Sequence, residues 1–480
     1  MAPVSLSDKP VHLDEFLDGV GALLRDKRQR ASFALYTMGL LNDGERKSME
    51  PIAARLSGDP ASCPAVHQRL LHFVSSAAWR DQAIRDYTTR YAIDAMQTQA
   101  PIQSWVVDDT GFLKQGKHSP AVQRQYSGTA GKTANCQIGV SLVFANNISH
   151  VTGDFRLYLP ESWAADRDRC RRANIPDEIE YAPKWRLALQ MIEHAVESGV
   201  PRGVVLADCD YGNKTVFRDT LSALGLKYAV EIQSTTKARR LGTRGKPGER
   251  MTVREIGRRL KPKLRGVAWR EGTCATLQSR FARIRVLVDR EDGVVRAAEW
   301  LLVEWPEGES SPTKFVLSTM PGKISCKKLV HIFKERWRIE RSYEDMKGEL
   351  GLDHYEGRSF VGWHHHVTVV LACYAFLVAE TVRSFPPRTP GKQSTTRSQT
   401  RPELHYRDSL ITMRITLVRE VLVRWLPRCP ACLRDFTRGH GQIRSRACGR
   451  VSRRQPRARP PDKQRCEPPS RQRRQTTRTG

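Results

Sequence analysis

No unbroken apolar run of this 480-residue chain reaches the length that a bilayer span requires. The longest run, Val367 to Ala379, falls short of the roughly 20 residues a span requires and contains Thr368, so it reads as a core helix. An apolar secretory segment is missing from "MAPVSLSDKPVHLDEF". The 11 cysteines form no even framework, which argues against a disulfide scaffold and for a reducing, cytoplasmic setting. No internal repeat is present. Acid is in short supply: 51 Asp and Glu against 80 Lys and Arg leave a net charge of +29. Residues 384–480 hold 24 of the basic residues and 6 of the acidic ones, which is +18 of that total, and the remainder lies on the first 383 residues. A body and a tail that are both basic imply a polyanionic partner, most simply nucleic acid.

Apolar residues recur at three- and four-residue spacing through residues 11–100, which predicts helices. With the basic charge, residues 1–100 read as a helical N-terminal DNA-binding domain, although "ERKSMEPIAARL" fits an ordinary bundle helix as well as a helix-turn-helix. From Trp105 the period becomes two. "WVVDD", Ile138 to Phe144 and Phe155 to Leu159 read as three antiparallel strands, with Asn146-Asn147 as a turn. A helix through Trp185 and Val196 follows. "GVVLAD", Gly203 to Asp208, is then a buried parallel strand, and "KYAVEI" another after a helix near Thr215–Leu224. Residues 101–234 would be the first part of a catalytic core and 235–325 a β-rich insertion, with Asp292-Gly293 as a hairpin turn. Residues 326–382 would be the C-terminal helices of the core. Beyond them, 383–480 reads as a basic, largely disordered tail with one amphipathic piece, Ile411 to Trp425.

Two acids close strands: Asp109 in "VVDDTG" and Asp208 in "VLADCDYG". Carboxylates at the ends of neighbouring strands repel one another unless a cation such as Mg²⁺ or Mn²⁺ lies between them. Capping of the following segment explains either acid alone equally well. "FKERWRIERSYEDMKGELG", Phe333 to Gly351, reads as a single helix. At about 100° per residue, Phe333, Arg336, Glu340 and Lys347 fall within roughly 60° of one another, beside an apolar face of Ile339, Tyr343, Met346 and Leu350. Arg336 is then one turn from Glu340 and available as its charge partner.

Phe-x2-Arg-x3-Glu-x6-Lys resembles the Tyr-x2-Arg-x3-Glu-x6-Lys signature of a large group of bacterial insertion-sequence DDE transposases. "DDTGFLKQGKHS" and "VVLADCDYGN" are similar to that group's first two acidic motifs. The resemblance implies an α/β fold: an RNase H-like mixed sheet with flanking helices, interrupted by a β-rich insertion and preceded by a helical domain. It implies Asp109, rather than Asp108, as the first metal-holding catalytic acid because that acid directly precedes Thr. Asp208 would be the second, ahead of Asp210, and Glu340 the third, ahead of Glu344. Phe333, Arg336 and Lys347 would contact DNA, with the hydroxyl of the family's Tyr missing at Phe333. The implied activity is metal-dependent cleavage of element ends and their joining to target DNA, by a homodimer or larger assembly. An RNase H-like repair nuclease, or a domesticated or decayed transposase that only binds DNA, would share much of this pattern. His364–His366 read as structural or DNA-facing, and Cys429 and Cys432 have zinc-knuckle spacing without a second tight pair.

Overall fold

The computed structural model describes residues 12–242, 245–272, 275–289, 297–384 and 410–414. Five helices come first: α1 (Leu13–Ala22), α2 (Lys27–Leu41), α3 (Met49–Leu56), α4 (Cys63–Ser75) and α5 (Asp81–Gln97). Local chemistry starts them. The Asp26 carboxylate accepts from the backbone N–H groups of Arg28 and Gln29 to open α2. Pro64 sits in the first turn of α4, where its missing N–H removes no helical bond.

The two-residue period then produces β1 (Ser104–Leu113), β2 (Gln123–Ser127), β3 (Lys132–Ala145) and β4 (His150–Leu157). Asn146 closes the β3–β4 turn by accepting from the N–H groups of Ile148 and Ser149. The short helices α6 (Glu161–Ala164) and α7 (Arg167–Arg172) precede α8 (Lys184–Glu197). Next come β5 (Val204–Ala207), α9 (Cys209–Gly212), α10 (Thr215–Ala223) and β6 (Tyr228–Ile232). β3 runs antiparallel to both β1 and β4, whereas β1, β5 and β6 are parallel. The order β4-β3-β1-β5-β6 with one reversed strand is the RNase H-like arrangement that the resemblance implies.

The insertion contributes β7 (Lys237–Leu241), β8 (Pro247–Thr252), α11 (Val253–Arg259), β9 (Arg265–Glu271), β10 (Thr276–Val288), β11 (Glu299–Glu304) and β12 (Lys314–Ser318). β12 pairs antiparallel with β6, so the insertion extends the core sheet, and the described strands form a single 12-stranded sheet. The sequence signals β10 to β12 but not β7 to β9. Those three carry runs such as "KARRL" and "PGERMT" with no apolar alternation. Asp292-Gly293 lies outside the described residues.

Two helices, α12 (Cys326–Lys334) and α13 (Trp337–Leu350), stand where the sequence predicts one. The chain tightens between them: the N–H groups of Glu335 and Arg336 bond to the carbonyls of Ile332 and Phe333, three residues back rather than four. α14 (Phe360–Ser384) is long and apolar enough to cross a membrane by length and composition, but 89% of its most apolar window is buried. It is the core helix expected from Val367–Ala379, packed against α2, α4, α5 and β4.

Arg85 of α5, 4% exposed, ties these layers together. Its guanidinium lies 2.6 Å from Asp81 and 3.0 Å from Asp154 of β4, and donates to the Thr368 hydroxyl of α14 at 2.9 Å. Residues 410–414 dock beside the end of α13, where Arg414 reaches Glu349 at 2.9 Å and Asp43 at 2.7 Å. The rest of the Ile411–Trp425 piece, the basic tail, Cys429 and Cys432 lie outside the described residues.

Candidate active site

Neighbouring residues of a strand point to opposite faces. On β1 this separates Asp108 from Asp109. Asp108 pairs in register with Ser141 of β3, whose hydroxyl bonds the Tyr343 hydroxyl of α13 at 2.7 Å. Asp108 therefore faces α13, and its Oδ2 accepts from Arg336 Nη1 at 2.7 Å. Asp109 turns toward α8 and α9. Its Oδ2 accepts from Lys184 Nζ at 3.0 Å and from the Tyr211 hydroxyl at 3.1 Å. Asp208 follows β5 and caps α9, accepting from the Asp210 N–H at 2.9 Å.

The electrostatics join these groups. Burial pushes the Asp108 carboxyl up to about 7; Arg336 opposes that shift, and Asp208 and Asp109 add to it. Asp208 is raised by burial as well, again against Arg336 and helped by Asp210 and Asp109. Burial alone would lower Arg336, yet it is raised, because Asp108, Asp208 and Glu340 surround its charge. One guanidinium thus stands among several carboxylates that have too little positive charge for their number. An oxygen-only set of this kind suits a hard divalent cation. The described residues hold no preassembled group of three His, Cys, Asp or Glu side chains able to hold a metal ion.

Glu340 lies on the first turn of α13 and is exposed, as is Glu344, which pairs with Arg341 at 3.1 Å. Arg336 still feels the charge of its expected partner Glu340, one turn on, but the carboxylate it hydrogen-bonds is that of Asp108. The tight turn before α13 removes Arg336 from the helical wheel on which the expectation rests. Lys347 reaches β1 two to three residues beyond Asp108, donating to the Thr110 hydroxyl and the Gly111 carbonyl, both at 2.9 Å, and to the Thr129 hydroxyl at 3.4 Å. These partners are all uncharged. Phe333 is 3% exposed and packs in the core, so its ring sits inside the molecule and not on the cleft surface.

The three histidines are built into the fold. His366 bonds the Tyr36 hydroxyl at 2.7 Å and the Gly351 carbonyl at 3.1 Å, and His365 stacks on Trp79. His364 meets the Leu157 N–H at 3.4 Å. Sequence reasoning missed Lys184, Tyr211 and Thr129. Lys184 belongs to no motif. Tyr211 was visible in "DCDYG", where its position three residues after Asp208 was the only signal.

A family model described as DDE superfamily endonuclease matches residues 16–301. That stretch includes both strand aspartates and ends before α12 and α13. A probable transposase for insertion sequence element IS701 from Microchaete diplosiphon is 27% identical over 225 residues, 46% of this chain and 54% of that protein. The match thus spans about half the length of that curated relative. Among solved structures, a piggyBac transposase synaptic complex with hairpin DNA aligns with a TM-score of 0.41 at 12% identity, over 90% of this chain and 82% of that one. With three fifths of its length matched by the family model, and its strand acids inside the match, the chain belongs to the DDE superfamily endonucleases.

Proposed function

We propose that this protein is a transposase that cleaves the ends of an insertion sequence and joins them to target DNA. The observation that carries this reading is the gathering of Asp108, Asp208 and Glu340 around Arg336, with Asp109 next to Asp108 on β1, at the start of the helix that bears Glu340 and Lys347. Asp109, Asp208 and Glu340 would hold Mg²⁺ or Mn²⁺. Bound there, the ion would activate the attacking hydroxyl and stabilise the leaving oxygen. Arg336 and Lys347 supply positive charge on either side of the acids and orient the phosphate of the cleaved strand. Phe333, buried in the core, accepts the Arg336 N–H at its carbonyl and so anchors the turn from which Arg336 extends. Two ends must be cut, so a homodimer or larger assembly fits the task.

One observation favours a second choice of first acid: Asp108, not Asp109, faces the helix that carries Glu340. The central test is cleavage and strand joining of duplexes that carry the element's own inverted repeats. Activity should require Mg²⁺ or Mn²⁺ and vanish in Asp208→Asn, while DNA binding remains. Cleavage without joining would indicate a nuclease, and full activity in excess chelator would remove the metal-dependent reading.

A further inference from the structure

Residues 110–153 contain no Asp or Glu, and within them lies the β2–β3 hairpin. Its bend, residues 128–130, folds back on β1, where the Thr129 hydroxyl lies 3.4 Å from Lys347 Nζ and 3.3 Å from the Thr110 hydroxyl. The hairpin is thereby anchored to the proposed site. Strand register fixes which side chains face the cleft. Tyr126 pairs with Thr133 and Arg124 with Asn135, without a bulge. Counting along β3 by twos leads to Ser141, the partner of Asp108. Tyr126 and Arg124 therefore lie on the sheet face of Asp108, Thr110 and Lys347.

Tyr126 is 68% exposed, well beyond what an aromatic ring on a strand usually shows. Arg124, two residues along the same strand face, is exposed too, as are Lys117, His118 and Lys132 of the same acid-free segment. A bare aromatic face among cations, on a segment free of acid, has the chemistry of a surface for bases and phosphates. Packing does not account for it, since burying Tyr126 would have stabilised the fold more than leaving it in water.

We propose that the β2–β3 hairpin is a DNA-end clamp: Tyr126 stacks on an unpaired base beside the cleaved phosphate, and Arg124, on the same face, holds the flanking phosphate. This rests on the reading of the chain as a DNA-cutting enzyme. The clamp would set specificity for a frayed or single-stranded end over a closed duplex, because only an unstacked base offers its face to the ring.

The test uses the full chain in chelator and two duplexes of identical sequence. One is blunt and the other carries a short 3′ extension with 2-aminopurine as its first unpaired base. Wild type should bind the extended duplex about tenfold more tightly and quench the probe. Tyr126→Ala should lose both the preference and the quenching with its melting temperature unchanged, and Tyr126→Phe should keep both. Arg124→Ala should lower affinity for both duplexes and flatten the salt dependence by about one unit of slope. If Tyr126→Ala still prefers and quenches the extended duplex, the clamp is refuted. It is also refuted if the substitution alters only the oligomeric state, which would make the hairpin a protein contact. Wild type that cuts DNA but binds both duplexes equally refutes the clamp and spares the proposed function. Wild type that binds neither duplex refutes both.

Discussion

Asp108 and Arg336 stand 228 residues apart in the chain and 2.7 Å apart in space. Both side chains are mostly buried, at 16% and 18% exposure. A buried pair of this kind fixes the start of α13 against the middle of β1. It also gives Asp108 a role that its neighbour Asp109, held by Lys184 and Tyr211, does not have.

The two adjacent aspartates can be told apart by amide substitution, which keeps shape and removes charge. Asp109→Asn should abolish cleavage and joining if Asp109 is the first metal-holding acid. Asp108→Asn would then lower activity only through the position of Arg336, by about tenfold, and Mg²⁺ affinity should not change. Metal titration of both variants, with cleavage as the readout, decides it. Loss of Mg²⁺ dependence in Asp108→Asn alone would transfer the role to Asp108.

Arg336→Ala should cost stability as well as DNA affinity. Removing the guanidinium leaves a buried carboxylate without its partner, a loss of about 1–3 kcal/mol. Lys347 meets only uncharged oxygens, so Lys347→Ala should cost less than about 1 kcal/mol and act chiefly on DNA affinity and its salt slope. Melting temperature measured alongside duplex affinity separates the two. Equal melting points for both variants would contradict the Asp108–Arg336 pairing.

These contrasts show where sequence stops being sufficient. Strand and helix periods, the acids after β1 and β5 and the charged stripe of α13 are visible because local spacing encodes them. The face on which Asp108 lies was also decided by alternation, but its partner was not: Arg336 reaches it across 228 residues through the tertiary packing of α13 on β1. A 100° wheel assumes an unbroken helix and paired Arg336 with Glu340 instead. β7 to β9 were illegible because their residues are mostly exposed and arginine-rich, which leaves no apolar pattern to read. The β2–β3 hairpin has a similarly polar sequence, and its place beside Lys347 follows from tertiary register alone.

Arg85→Met should destabilise the protein strongly, by about 3–5 kcal/mol. The substitution removes the nearer of the two cations on Asp154, 4% exposed, leaving it only Arg156 at 3.4 Å, and severs the links to Asp81 and to Thr368 of α14. Urea unfolding at neutral pH measures the loss. Adding Asp154→Asn to Arg85→Met should recover part of it, because the buried charge is then gone. A double variant less stable than Arg85→Met would show that Arg156 alone is enough to sustain the Asp154 charge.

The pH dependence of stability should reflect two opposed sets of groups. Burial lowers His364 and His366 from 6.5 to about 4, so the unfolded chain binds more protons between those values. Their contribution is complete above about pH 6.5 and is lost as pH falls toward 4, by up to about 3 kcal/mol each. Asp108 acts in the other direction. Its carboxyl rises from 3.8 to about 7, so the folded chain binds the extra proton, and its contribution is present below 3.8 and lost as pH rises through 7. In the wild type the two effects partly cancel between pH 4 and 6.5. Asp108→Asn removes the opposing one, so its stability should fall more steeply on acidification than that of the wild type, whatever its stability at pH 7. His364→Gln should flatten the fall. Urea unfolding at intervals from pH 7 to pH 4 gives the slopes. A wild type and an Asp108→Asn variant with the same slope would mean that Asp108 titrates in the folded protein as it does in the unfolded chain.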